Sequence, residues 1–212
     1  MMCKKHWLAG LIMTIWLIST AYAFWWFQTR DLRPFDIQAA SVIESQALNL
    51  SLNALLAPLR QNNPGSAYLV HFWQPGCSCN RFNSAHVNAI SKKYQQENFK
   101  LVTIVRPHPD FSDQQIIKMA GEQFASQVII DQHLLLAGKA RIPAAPAAAV
   151  IDEAGQLAYF GPYSDSTFCG LGGTAFVERV ADLLTQGQTP SLLNTMVFGC
   201  FCDWDKTSNH SI

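Results

Sequence analysis

Charge is what this sequence has least of. Only 14% of its 212 residues are Asp, Glu, Lys or Arg, and 15 basic side chains balance 15 acidic ones. Without a net positive field, nucleic acid is not an expected partner. Soluble domains carry nearer a quarter of charged residues, so the deficit points to a membrane segment. Histidines lack pattern as well. His71, His86, His108 and His133 fall at no spacing that singles out a metal ligand, so neither a metal nor a cofactor is expected.

The membrane segment is Trp7 to Phe27, apolar except for Thr14, Ser19 and Thr20. Its length suffices to cross a hydrocarbon core of about 30 Å. Lys4 and Lys5 precede it, and Trp25-Trp26 sit near its far end as an interfacial belt would. A cleaved signal peptide ending near Ala23 is the competing reading, since Ala21-Tyr22-Ala23 fits the small-x-small pattern. The anchor is preferred because Phe24-Trp25-Trp26-Phe27 continues the apolar run where a mature terminus is usually polar. Both readings export the remainder, and Cys3 stays on the other side.

What is present in strength is sulfur chemistry. Tyr68 to Phe82 opens with strand-prone residues, breaks at Pro75-Gly76, and offers Cys77 and Cys79 where a helical pattern begins. A helix N-terminus favours thiolate over thiol, and the thiolate is both nucleophile and metal ligand. Five of the six cysteines (Cys77, Cys79, Cys169, Cys200 and Cys202) belong to the exported part, where disulfides persist. Their odd number leaves at least one free, mixed or metal-bound. Four form two Cys-x-Cys pairs; a disulfide within such a pair closes a small, strained and easily reduced ring.

Around these cysteines the pattern is α/β. Residues 1–29 form the anchor, 30–66 a juxtamembrane linker and extension, 67–187 the main domain and 188–212 a Cys-x-Cys tail. Ser41 to Leu50 reads as a short strand and Ser51 to Arg60 as a helix, Pro58 weakening its last turn. Ala67 to Trp73 reads as a central strand covered on both sides. From Cys79 to Gln96, Phe82, Ala85, His86, Ala89, Ile90 and Tyr94 recur at helical spacing. His71 on the strand and His86 in this stripe are read as packing residues. Leu101 to Val105 is a second buried strand, parallel to the first. Ser112 caps a helix to about Gln123, with Phe111, Ile116, Ile117 and Ala120 inward. Val128 to Ile130 is an edge strand, and Gln132 to Ala140 a short helix. In Ile142 to Asp152 the run turns strand-like after two prolines and forms a hairpin with Gln156 to Phe160 across Glu153-Ala154-Gly155. Thr174 caps a last helix, Ala175 to Thr185, with Phe176, Val177, Val180, Leu183 and Leu184 inward.

This order, with Phe72-Trp73-Gln74-Pro75-Gly76-Cys77 and with Pro146 before Ile151-Asp152-x-x-Gly155, resembles the thioredoxin-like superfamily over roughly Ala67 to Gln186. The likeness is to membrane-anchored thiol–disulfide oxidoreductases of the bacterial envelope. It implies a mixed central sheet with helices on both faces, behind one transmembrane helix. It also implies Cys77 as nucleophile and Pro146 as a cis-proline in the groove that docks a partner's extended segment. The expected partners are protein thiols or disulfides and a redox donor or acceptor, and the expected place is the inner membrane, with the domain, a monomer, in the periplasm. Two departures stand out. Asn80 occupies the usual second-cysteine position, so Cys79 is named as resolving thiol by proximity, and Gly76 replaces a frequent tryptophan.

Two other functions stay open. Cys-x-Cys thiolates suit Cu(I), as in a metallochaperone, and a non-catalytic interaction domain would use its cysteines structurally. The tail also has two readings. Cys200 or Cys202 forms a structural bridge to Cys169, or the tail folds back on Cys77 and exchanges disulfides with it. The bridge is preferred, because exported cysteines are more often staples.

Overall fold

The computed structural model describes residues 2–29, 32–35, 42–95, 98–133, 136, 142–165, 175–188, 190 and 197–204. They fall into two units, Met1–Leu32 and Arg33–Ile212. The first is essentially one helix, α1 (Met2–Thr29), whose stretch His6–Phe27 is long and apolar enough to cross a membrane. Its side chains from His6 to Phe27 are exposed. The Thr14 and Thr20 hydroxyls donate to the carbonyls of Gly10 and Trp16, so these polar groups are satisfied inside the helix.

In the second unit the chain runs through β1 (Leu32–Phe35), α2 (Val42–Asn62), β2 (Ala67–Trp73), α3 (Asn80–Tyr94), β3 (Phe99–Val105), α4 (Asp113–Phe124) and β4 (Gln127–Ile130). It continues with β5 (Ala144–Ala145), β6 (Ala147–Ile151), β7 (Leu157–Gly161), α5 (Phe176–Thr185), β8 (Val197–Cys200) and β9 (Cys202–Asp203). Five strands form one sheet in the order β4-β3-β2-β6-β7. The strands β2, β3 and β4 are parallel, while β6 is antiparallel to β2 and β7 to β6. This is the thioredoxin-like fold, with β2 at its centre and all seven β2 residues buried.

Alternation along β2 assigns the two layers. Tyr68 and Phe72 face α2 and the tail: Arg60 lies over the Tyr68 ring, and Phe72 meets Phe160 and Trp204 edge-on. His71 and Trp73 face the other way, where Phe124 of α4 packs on both. On that side Tyr94 of α3 donates to Asp182 of α5 at 2.6 Å. Burial, aided by that carboxylate, pushes the Tyr94 phenol up to about 12.

Several expectations need correction. The segment read as a strand before Leu50 is helical: α2 begins at Val42, because Leu48 extends the Leu52–Leu56 stripe at i, i+4 spacing and all three are buried. Pro58 lies inside α2 without ending it. Pro58 and Ala54, whose carbonyl loses its partner, are both exposed, so water can satisfy that oxygen. Ile117 is 48% exposed, since Ile116, Ala120 and Phe124 set the phase of α4 and an adjacent residue cannot share their face. Leu183 and Leu184 are only half-buried. Ser112 does cap α4, in a capping box with Gln115. Cys169, Thr174 and most of the helix expected at Gln132 to Ala140 lie outside the described residues.

His71 is 1% exposed, with its Nδ1 2.9 Å from the Tyr163 hydroxyl and a further hydrogen bond to the Ala147 backbone. Loss of solvent pushes its pKa down to about 3 from 6.5, only partly opposed by the Ala147 bond. The unfolded chain therefore takes up a proton below pH 6.5 that the folded chain refuses. Stability is full above that pH and falls by about 1.4 kcal/mol per pH unit as the solution is acidified towards 3. At pH 5 the loss from this group is about 2 kcal/mol. Urea titrations at pH 7 and 5 on wild type and His71→Gln measure it. An equal acid loss in both proteins excludes His71 as the cause.

Candidate functional site: a double disulfide between loop and tail

The loop after β2 is closed by its own backbone. The Cys77 amide donates to Gln74 O, the Asn80 amide to Cys77 O, and the Asn80 side-chain amide returns to Gln74 O at 2.8 Å. This explains the first departure. Asn80, where a second cysteine is usual, serves as the brace of the loop. The second follows from Gly76, whose φ of +76° is left-handed backbone that disfavours a side chain; a Cβ there would also touch His108 Nε2 at 3.6 Å. Cys79 stands at the N-cap of α3 without a side-chain cap bond.

The tail supplies the other half. Strand β9 pairs antiparallel with β5, Cys202 opposite Ala145 and Asp203 opposite Ala144, and the Trp204 amide donates to Pro143 O at 3.2 Å. Strand β8 pairs with β1, and Arg33 meets Asp203 at 2.6 Å. Phe201 and Trp204 are fully buried, Phe201 against Phe35 and Trp204 against Phe72. An aromatic side chain buries roughly 150–250 Å², and about 25 cal/mol per Å² makes each anchor worth roughly 4–6 kcal/mol before ordering entropy.

This docking sets sulfur against sulfur. Cys77 is bonded to Cys202 and Cys79 to Cys200, with Cα separations of 6.0 and 5.4 Å. All four cysteines are buried. The Cys77 sulfur lies 3.8 Å from the carbonyl of Ala145, the residue before a cis peptide bond to Pro146. Cys77 and Cys79 are thus not joined to each other, and neither tail cysteine bridges to Cys169. A one-residue spacing leaves two sulfurs side by side, and an equally spaced pair on a facing strand can meet both at once. The equal spacing of the two pairs was the one sequence signal for this arrangement.

Among the described residues no histidine joins the cluster formed by the sulfurs of Cys77, Cys79 and Cys202. His86 Nε2 meets Glu178 at 2.5 Å, joining α3 to α5, and His71 is held by Tyr163, a partner that sequence reading missed. His108 Nδ1 accepts from the Asp110 amide, and nothing joins His133 to the sulfurs among the described residues.

Two solved structures share the fold at low identity. One is a hypothetical protein from Sinorhizobium meliloti 1021, 16% identical, with a TM-score of 0.57 over 71% of this chain and 85% of that one. The other is an uncharacterized conserved protein from Geobacillus kaustophilus, 20% identical, also at 0.57, over 69% and 81%. A thioredoxin-family thiol:disulfide interchange protein from Chlorobium tepidum TLS is more distant, 17% identical at 0.44 over 59% and 84%. Among curated proteins there is no match. A family match begins inside α2, leaves out α1, and ends at Trp204, so that it takes in all four bonded cysteines and the aromatic anchor of the tail. Over residues 46–204 this chain belongs to the family described as a domain of unknown function, DUF6436.

Proposed function

We propose that this chain is an exported, membrane-anchored thiol–disulfide oxidoreductase whose tail is its built-in exchange partner. The supporting observation is the Cys77–Cys202 bond beside Pro146, made by a strand lying where an extended segment pairs with β5. Such strand addition is a common way to hold a peptide on a sheet edge. Residues 7–27 would hold the chain in the inner membrane, with the domain in the periplasm.

In the oxidising direction, a thiolate of a protein dithiol attacks Cys77 Sγ, and the Cys202 thiolate leaves and takes up a proton. The substrate's second thiolate then attacks its own sulfur in the mixed disulfide, releasing Cys77 as thiolate. One substrate disulfide forms, one protein disulfide becomes two thiols, and two electrons have moved. In the reducing direction the steps reverse: Cys77 attacks the substrate disulfide and Cys202 resolves the mixed species. Cys79–Cys200 meanwhile keeps the tail tethered, so Cys202 acts at high effective concentration. Pro146 and β5 would shape the groove that a substrate segment enters as β9 shifts.

Resolution by Cys202 is open to direct test. Partly reduced Cys202→Ala, given a peptide disulfide, is expected to accumulate the peptide on Cys77, and Cys79→Ala to turn over without it. Non-reducing mass spectrometry reads both. Accumulation in Cys79→Ala alone would return the resolving role to Cys79, and no exchange by the wild type would end the proposal.

A further inference from the structure

We propose that the chain, once both disulfides are reduced, holds a thiophilic d10 metal ion (Zn²⁺ or Cu⁺) on the thiolates of Cys77, Cys79, Cys200 and Cys202. The tail is held by more than sulfur: the β5–β9 ladder, the Trp204 amide on Pro143, the Arg33–Asp203 pair, and the buried rings of Phe201 and Trp204. None of these is redox-active. Opening both bonds, R–S–S–R + 2 e⁻ + 2 H⁺ → 2 R–SH for each, therefore leaves four sulfurs facing one another in a buried site.

Three of the four already stand close enough for one ion, and the fourth has to swing in. The sulfurs of Cys77, Cys79 and Cys202 lie within 4.8 Å of one another, while that of Cys200, bonded to Cys79, lies beyond this distance from at least one of the others. A tetrahedral zinc with Zn–S of about 2.3 Å needs sulfurs about 3.8 Å apart. The bonded pairs must open and the others draw in, and the Cα separations of 6.0 and 5.4 Å leave side-chain torsions room to do so. Four sulfur donors with no carboxylate or imidazole select soft cations over Mg²⁺ or Ca²⁺. Burial keeps the metal-free sulfurs as neutral thiols, so only a cation that bonds them directly makes four thiolates stable there. Zinc binding displaces four protons, giving [Zn(SR)₄]²⁻. Two equivalents of a disulfide oxidant would take four electrons from it, reforming both bonds and releasing Zn²⁺.

The inference rests on the sulfur geometry and docked tail alone, independent of the exchange reading. The full-length chain in detergent is reduced anaerobically with a phosphine, freed of it, and titrated with Co²⁺ then Zn²⁺, and separately with Cu⁺. One equivalent per chain is expected, with thiolate-to-cobalt charge-transfer absorption that Zn²⁺ abolishes. Cys200→Ser is expected to weaken cobalt and zinc by more than the roughly 100-fold typical of losing an outer-shell partner. It should retain Cu⁺ on the three remaining sulfurs. The oxidised chain should bind none of these ions at the site. Equal binding by oxidised and reduced wild type, or none by the reduced chain, overturns the proposal. So does loss of near-ultraviolet circular dichroism on reduction, since the tail would then have left. Exchange with a peptide disulfide, measured on the same metal-free reduced chain, can fail or succeed independently of each of these outcomes.

Discussion

Full reduction of the oxidised chain is expected to lower its unfolding free energy by about 7 kcal/mol, less than the sum of what the two bridges are worth singly. The residues they join are 125 and 121 apart in sequence. In the chain-entropy account, one bridge across such a loop restricts the unfolded chain by about 5 kcal/mol. With that bridge closed, the second encloses only the few residues between the two, worth about 2 kcal/mol. Removing either pair, as in Cys79→Ala/Cys200→Ala or Cys77→Ala/Cys202→Ala, should therefore leave a protein that still loses about 5 kcal/mol on reduction. Comparing each polypeptide with and without reductant cancels the packing cost of the substitutions. Urea midpoints under both conditions give the numbers. Reduction losses in the two double variants that add up to the wild-type loss would contradict the nested-loop account.

The tail was the least legible part of the sequence for a related reason. Strand β2, the cap at Ser112, and the hairpin at Gly155 announce themselves within a few residues, because period and turn chemistry are local signals. The pairing of Cys77 with Cys202 is separated by most of the domain, and cysteine spacing does not fix connectivity. Phe201 and Trp204 are apolar residues whose cover nothing local in the sequence names. Gly76 and Asn80, which looked like departures from a motif, are explained only by a left-handed turn and a loop-closing amide, both invisible in one sequence. Ser41 to Leu50 failed differently. Its Leu48 belongs to the stripe of the following helix, and a pattern begun at Ser51 cuts that stripe short.

Replacing Trp204 by Ala is expected to cost about 3–5 kcal/mol, the range for emptying a large buried aromatic site. The indole is fully buried, meets Phe72 edge-on at 5.8 Å, and anchors the segment that ends the ladder to β5. Its N–H has no hydrogen-bond partner among the described residues, so the ring contributes through apolar contact and not through a polar bond. Trp204→Phe keeps much of that contact and removes the unsatisfied donor, so it should cost far less, under about 1.5 kcal/mol. In the oxidised chain the alanine variant remains stapled, since Cys202 is two residues away and bonded to Cys77. Its loss should therefore be largest after reduction, when apolar burial and the short ladders alone hold the tail against the entropy of its release. Urea unfolding of both variants, oxidised and reduced, separates these contributions. A phenylalanine variant as unstable as alanine would show that the indole holds the tail through a contact that Phe cannot make.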